Sequence, residues 1–321
     1  MYRGQIILVI SIALSLLSGC GKEKQTYTAN HNQDSIITVT DEISSIGKES
    51  SEKNKIVEPD LEDNNFKGKK SVNKEVYREN VKSSTTKSSN IGFNQKFSWS
   101  VVRKKDHLPP GVERKQVELA GKYNAIYLGD TSKKIIYLTF DEGYENGYTP
   151  KILDTLKENN VKAAFFITMP YLKKHFDLVD RMVKEGHIVG NHTVNHPSMP
   201  DVGDDSKLEK EMLDLDLLFR EKTGRTMKYL RPPKGEFSER TLKISKELGY
   251  RNVFWSFAYD DWYVDKQRGA EYARKIVGGN IHNGAVLLLH AVSKDNAEAL
   301  DMIITDLRSQ GYEFGTLDEI K

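Results

Sequence analysis

The chain has 321 residues, enough for one large domain or two ordinary ones. Its 48 Lys and Arg against 46 Asp and Glu leave a net charge of +2, which gives no electrostatic footprint for nucleic acid or an anionic membrane surface. A single cysteine excludes an intramolecular disulfide.

That cysteine is Cys20. Arg3 precedes an apolar run from Ile6 to Leu17, which ends in Ser18-Gly19-Cys20. A basic start, a short apolar core and small residues at its end make an export signal over residues 1–20, too short for a good membrane span. The quartet Leu17-Ser18-Gly19-Cys20 is similar to the bacterial lipobox. That resemblance implies lipidation at Cys20 and anchoring outside the cytoplasmic membrane. A plain cleaved signal or an N-terminal anchor helix are the alternatives. From Gly21 to about Asn94, Ser, Asn, Lys, Glu and Thr dominate and apolar residues are too scattered to bury a core. The segment 21–94 is expected to be a disordered, flexible tether that lends reach to an anchored domain. Phe97 and Trp99 mark the start of ordered chain, placing a domain at 95–321.

From Lys134 the pattern alternates. Ile135 to Phe140 is an apolar, β-rich run suited to a buried strand. Thr149-Pro150 predicts a helix start, with a capping hydroxyl before proline at the first helical position. Val161 to Thr168 is a second strand, Phe176 to Glu185 a helix stopped by Gly186, and His187 to Gly190 a third strand. Ser206 with Glu209 predicts a capping box for a helix ending near Gly224. Tyr229-Leu230-Arg231 is a brief strand, Ser238 caps a helix, and Asn252 to Ser256 is another strand. Ala285 to His290 is strongly apolar, and Asp295 with Glu298 is expected to cap a last helix ended by Gly311. Repeated strand–helix units imply parallel strands with helices outside. A barrel is favoured over an open sheet, because Asp141, His192, Arg231, Asp261 and His290 all follow strands, and barrel strand ends converge on one face.

Several of those residues sit in chemically suggestive fragments. His192-Thr193-Val194-Asn195-His196 spaces two imidazoles by four, about one helical turn, so both could face one way and ligate a divalent ion. Asp141-Glu142 is a carboxylate pair at a strand end, where a turn would let each acid do a different job. Arg231-Pro232-Pro233-Lys234-Gly235 sets an arginine on a rigid segment able to hold a carboxylate by a bidentate pair. Asp261-Trp262 and Leu287-Leu288-Leu289-His290 complete the set. Each fragment alone also suits a solvated loop, a surface ion pair or a satisfied core histidine.

Together, in this order and spacing, they resemble the five motifs of the polysaccharide deacetylases, the NodB-type esterases of carbohydrate esterase family 4, across about Ile135 to Leu317. The stretches Gly143 to Thr149 and His290 to Leu300 are similar to the branch of δ-lactam-biosynthetic de-N-acetylases, which act on N-acetylmuramic acid of spore-cortex peptidoglycan. The resemblance implies an α/β fold, a distorted (β/α) barrel, and a divalent metal, zinc or a similar ion. His192, His196 and Glu142 would be its ligands. Asp141 would be the general base, oriented by Arg231, and His290 the general acid, oriented by Asp261. Trp262 and Tyr144 would wall the substrate pocket, and a backbone N–H near Lys234 would meet the oxyanion. The implied partners are peptidoglycan glycan strands, met by a monomer after a muramoyl amidase has acted, and the membrane through the lipid anchor.

Three departures from the family pattern stand out. Glu142 occupies the position of a ligand aspartate and is one methylene longer, which leaves a supporting role or a hydrogen bond to the sugar open. Ala258 replaces the first acid of the DxxDW motif. Lys234 stands where many relatives carry an aromatic, and could attract the lactyl carboxylate that distinguishes muramic acid from glucosamine. Deacetylation of N-acetylglucosamine, or glycan binding by a decayed site, are the rival readings.

Overall fold

The computed structural model describes residues 91–321. The expected export signal, Cys20 and the expected tether up to residue 90 lie outside the described residues. Its first element is the turn Ile91–Asn94, within the last residues assigned to the tether, and Asn94 donates to the Pro200 carbonyl at 3.0 Å.

The described chain opens with the short strand β1 (Phe97–Ser98) and helix α1 (Arg114–Lys122). Strand β2 (Ile135–Glu142) follows, its alternation sorting side chains between two apolar layers. Ile136, Leu138 and Phe140 join the outer layer against the helices, while Tyr137 joins an inner layer with Ala164, Phe166, Tyr229, Val253 and Val286. Removing a side chain such as the fully buried Phe140 ring would cost about 3–5 kcal/mol.

Beyond β2 run α2 (Thr149–Glu158), β3 (Ala164–Ile167), α3 (Met169–Lys174), α4 (Phe176–Lys184) and β4 (Ile188–Asn191). Then come α5 (Asp205–Thr223), β5 (Tyr229–Leu230), β6 (Glu236–Phe237), α6 (Glu239–Glu247) and β7 (Arg251–Asn252). Helix α7 (Ala270–Gly278), β8 (Val286–His290), α8 (Lys294–Ser309) and β9 (Glu313–Phe314) complete the chain.

The main sheet has the order β7-β5-β4-β3-β2-β8, with β9 also on β2, and every pairing in it is parallel. It curls until its ends meet. Just past β7, Phe257 pairs with Leu287 of β8, with the Leu288 N–H donating to the Phe257 carbonyl at 2.8 Å. The expected distorted barrel is therefore what forms, with long parallel pairing on one side and single bridges on the other. Strands β1 and β6 make a separate antiparallel ribbon beside it.

Several helix starts differ from expectation. Asp204, not Ser206 with Glu209, caps α5, accepting from the Lys207 N–H at 2.9 Å. Ser293, not Asp295 with Glu298, caps α8. The Asp295 carboxylate instead accepts from the Arg268 and Gly269 N–H groups at 2.6 and 2.8 Å, ahead of α7. Thr149 is the first helical residue of α2 rather than its cap, and its hydroxyl turns inward. Ser238 caps α6 in a capping box with Thr241, and Gly224 ends α5 in the left-handed conformation, as expected.

Candidate active site

Asp141 and His290 are register partners on the neighbouring strands β2 and β8. Side chains at matched positions of parallel neighbours point to the same face, so the barrel interior receives both. Thr139, two residues before Asp141, shares that face.

Arg231 follows β5 and is fully buried, its guanidinium 4.2 Å above the Phe166 ring. Phe166 lies so close under β4 that a Cβ on Gly190 would sit 2.6 Å from the ring, which explains the glycine there. The expected bidentate grip does not form. One nitrogen donates to Asp141 Oδ1 at 2.7 Å and the other to Thr139 Oγ1 at 2.7 Å, while the Nε–H donates to the Val253 carbonyl at 3.1 Å. The fork is spread over a carboxylate, a hydroxyl and backbone carbonyls, so the cation is desolvated but saturated with acceptors. Burial alone would raise the Asp141 pKa, but the Arg231 charge, aided by His192 and His290, outweighs it and holds the carboxyl below its usual value.

His192 and His196 do come together, though not on a helical turn. Strand β4 ends at Asn191, and the loop turns through Thr193 (φ 69°) and His196 (φ 56°). Positive φ at a β-branched threonine is a strained conformation that the surroundings must enforce. Here the Asn191 carboxamide accepts from the Thr193 N–H at 2.8 Å, the Thr193 hydroxyl accepts from the His196 N–H at 3.0 Å, and Glu211 holds Asn195. The two Nε2 atoms face each other at 3.1 Å, and His192 Nε2 lies 3.5 Å from Asp141 Oδ2. His192 Nδ1 sits 2.8 Å from the Arg231 carbonyl, which assigns its proton to Nδ1 and leaves Nε2 with a lone pair. Burial, reinforced for His196 by His192, lowers both imidazoles, His196 to about 4.

On the adjoining strand β8, His290 Nδ1 meets Asp261 Oδ1 at 2.7 Å and the His290 N–H donates to Asp261 Oδ2 at 2.8 Å. Burial works against the imidazolium, but the Asp261 charge and hydrogen bond prevail and raise the His290 pKa. Asn296, in the first turn of α8, donates to Asp261 Oδ2 at 2.5 Å and is itself fixed by the Tyr259 hydroxyl. Neither Asn296 nor Tyr259 was singled out by motif reading, because both act only through Asp261. Trp262 stands edge-on to His290, ring centroids 5.6 Å apart. Ala258, at the departed acid position, offers its carbonyl to Arg103 at 2.6 Å. Tyr144 is 53% exposed, and Lys234, with φ 59°, is exposed on the 3-10 turn Pro233–Gly235.

Glu142 does not join the histidines. The strand continues through it without the turn that would have re-aimed it, so its side chain leaves on the face opposite Asp141. It is fully buried against Thr149, whose hydroxyl is 3.5 Å from both carboxyl oxygens, in a cluster with Tyr171 and Glu145. Burial first, then Glu145 and Asp141, push its pKa well above the usual carboxylate range. The expectation of Glu142 as third metal ligand is corrected accordingly. Among the described residues no three His, Cys, Asp or Glu side chains are arranged to enclose a metal ion. What does fit one is the histidine pair: two nitrogens about 2.1 Å from a common zinc lie about 3–3.4 Å apart, and the carbonyl behind His192 sets its tautomer for ligation.

Residues 128–253 match the family model for polysaccharide deacetylase. The chain is 53% identical over 228 residues to an uncharacterized 30.6 kDa protein of Geobacillus stearothermophilus, spanning 71% of this chain and 86% of that one. It is 46% identical, over the same shares, to the peptidoglycan-N-acetylmuramic acid deacetylase PdaA of Bacillus subtilis. This chain belongs to the polysaccharide deacetylase family. The crystal structure of B. subtilis PdaA, a family 4 carbohydrate esterase, superposes with a TM-score of 0.69 over 71% of this chain and 97% of that chain. A peptidoglycan-N-acetylglucosamine deacetylase of Bacillus cereus is 36% identical over 200 residues, 61% of this chain and 71% of that one. As a polysaccharide deacetylase, the protein presents its buried Asp141–Arg231 pair and its Asp261–His290 pair side by side, from the adjoining strands β2 and β8, at one barrel mouth.

Proposed function

We propose that the protein removes acetate from N-acetylmuramic acid of peptidoglycan. The observation that carries this reading is the register pairing of Asp141 with His290, one held below the usual carboxylate pKa by Arg231 and the other raised above the usual imidazole pKa by Asp261. The 46% identity to a muramic acid deacetylase, against 36% to a glucosamine enzyme, supports muramic acid over the glucosamine alternative.

Amide hydrolysis needs a proton taken from water and a proton given to a poor amine leaving group. Asp141 takes the first as water adds to the acetyl carbonyl. His290, through its Nε2–H, protonates the sugar nitrogen as the C–N bond breaks, releasing acetate and the free amine. Asp261 holds the Nδ1 proton and the ring orientation throughout, and a backbone N–H beside Lys234 is our candidate donor to the oxyanion. His192 and His196 would hold a divalent ion, zinc by our reading. It would supply Lewis acidity at the acyl oxygen and ease ionisation of water. An intact base pair and acid pair argue against a decayed, binding-only site.

Finer points belong to the same proposal. Lys234 would attract the lactyl carboxylate bared by a muramoyl amidase, Tyr144 and Trp262 would flank the sugar, and the amine produced would close to the δ-lactam of spore cortex. The chain would work as a monomer outside the cell membrane, held through lipid on Cys20.

Mass spectrometry of muramyl glycan, with and without its peptide, after incubation with the purified protein tests the reading. Loss of one acetyl group from muramic acid, abolished by chelation, is expected. Acetate release from glucosamine alone would refute the substrate. Lys234→Ala should lower kcat/KM on peptide-free muramyl glycan about two- to fivefold and leave chitin oligomers unaffected, since an exposed charge contact contributes about 0.2–1 kcal/mol. An equal loss on both substrates would remove Lys234 from substrate selection.

A further inference from the structure

Three non-glycine residues with left-handed backbone lie at the barrel mouth: Thr193 and His196 on the histidine loop and Lys234 on the arginine loop. Such conformations persist only where neighbours over-determine them. One short segment, Asn94–Trp99, touches both loops. All of it precedes the stretch that matches the family model, residues 128–253.

Toward the histidine loop, the Asn94 carboxamide donates to the Pro200 carbonyl at 3.0 Å, and Lys96 Nζ lies 2.8 Å from Asp201. These contacts fall on the 3-10 turn Met199–Asp201, three residues beyond His196. Toward the arginine loop, β1 pairs with β6 and the Trp99 N–H donates to the Gly235 carbonyl at 2.9 Å. Asn94 also accepts from the Ser238 hydroxyl at 2.8 Å. Gly235 has φ 66°, and a Cβ there would meet Trp255 at 2.6 Å and Trp99 at 3.3 Å, so the segment packs against bare backbone.

Trp99 reaches further. Its ring stacks on Phe254 at 4.4 Å and its Nε1–H donates to the Trp255 carbonyl at 2.8 Å. The carbonyls of Val253 and Phe254, immediately before, are the ones that receive Arg231, at 3.1 and 3.4 Å. The segment therefore backs the backbone that aims the guanidinium at Asp141.

We infer that Asn94–Trp99 is a positioning strap that fixes the histidine loop relative to the arginine loop, with Trp99 its principal residue and Asn94 its second. This rests on the functional reading of those two loops given above. Lys96 contributes least, because its ion pair with Asp201 is half-exposed on both sides and such pairs are weak. None of the three touches the reacting atoms; they act through His196, Arg231 and Lys234.

The test uses the full chain carrying Asn94→Ala with Trp99→Phe, which keeps an aromatic ring on Phe254 but removes two donors. Arg114→Ala, which breaks an exposed pair with Glu118 on α1 away from both loops, is the control. Hydrogen exchange should quicken in residues 193–201 and 231–238 and stay unchanged in the outer helices. The Zn²⁺ dissociation constant, read by competition with a chromophoric chelator, should rise about tenfold, the usual effect of losing support behind a ligand. On muramyl glycan, kcat/KM should fall about tenfold. Unchanged exchange in both loops, or protection lost evenly over the whole barrel, would overturn the strap. Failure of the wild-type protein to release acetate would refute the substrate reading alone, because exchange and zinc affinity judge the strap without turnover.

Discussion

Two carboxylates end β2 side by side, and the two faces of the strand give them opposite chemistry. Asp141 enters the barrel, where a buried guanidinium and two imidazoles surround it, and it is held ionised. Glu142 enters the layer between sheet and helices, where it meets a hydroxyl, a phenol and another carboxylate, and its pKa is pushed well above the usual carboxylate range. Both are buried to a similar degree. Burial pushes both upward in pKa, so the partner decides the outcome, and only Asp141 has a cation.

The largest effect should come from the inner face. Asp141→Asn is expected to lower kcat/KM by about two to four orders of magnitude, the range of a lost general base, with KM little changed. Steady-state kinetics on muramyl glycan checks this, and a loss under tenfold would leave the comparison without its catalytic side. Next comes the acid. Activity requires Asp141 ionised and His290 protonated, so the pH profile should be bell-shaped, with an acid limb below the ordinary carboxylate range and an alkaline limb above the ordinary imidazole value. Asp261→Asn removes the charge that raises His290 and should move the alkaline limb to lower pH, with a rate loss of about 10² at neutral pH. An alkaline limb that stayed in place would assign it to some other group.

Much of this contrast was legible in the residue order. Apolar runs located β2, β3, β4 and β8, and the motif residues Asp141, His192, Arg231 and His290 fell at strand ends that the barrel gathers. The fate of Glu142 depended on one local question, whether the strand ends before or after it, and period-two alternation across 135–142 answers it only once that length is known. Caps failed for a related reason. Asp204 and Ser206, or Ser293 and Asp295, are equivalent candidates within two positions, and the choice falls to tertiary partners such as the Arg268 and Gly269 amides. Helices α1, α3 and α7 passed unnoticed: α3 is only six residues long, and α1 and α7 carry short apolar stripes broken by charge. Asn296 and the strap at Asn94–Trp99 carry no signature of their own. Their roles exist only through residues 35 to 156 positions away in the chain.

The smallest effect should come from the outer face, and it sharpens the comparison most. Glu142→Gln replaces a carboxyl whose pKa is raised by burial with an amide of the same shape, which can still accept from Thr149. It should alter kcat/KM and Zn²⁺ affinity by less than about threefold, whereas loss of support behind a ligand alone costs about 10–100-fold in affinity. Stability gives an independent reading with a definite sign. A carboxyl whose pKa is raised on folding adds stability below its unfolded value, and that contribution is lost as pH rises through the folded one. Wild type should therefore lose thermal stability across that interval while Glu142→Gln does not, so the Tm difference, variant minus wild type, should grow with pH. A variant that matched wild type at every pH would mean that Glu142 is already ionised in the folded protein. A hundredfold loss of zinc affinity would mean that its carboxylate swings to the histidine face when the ion binds, making the strand end a switch between two faces.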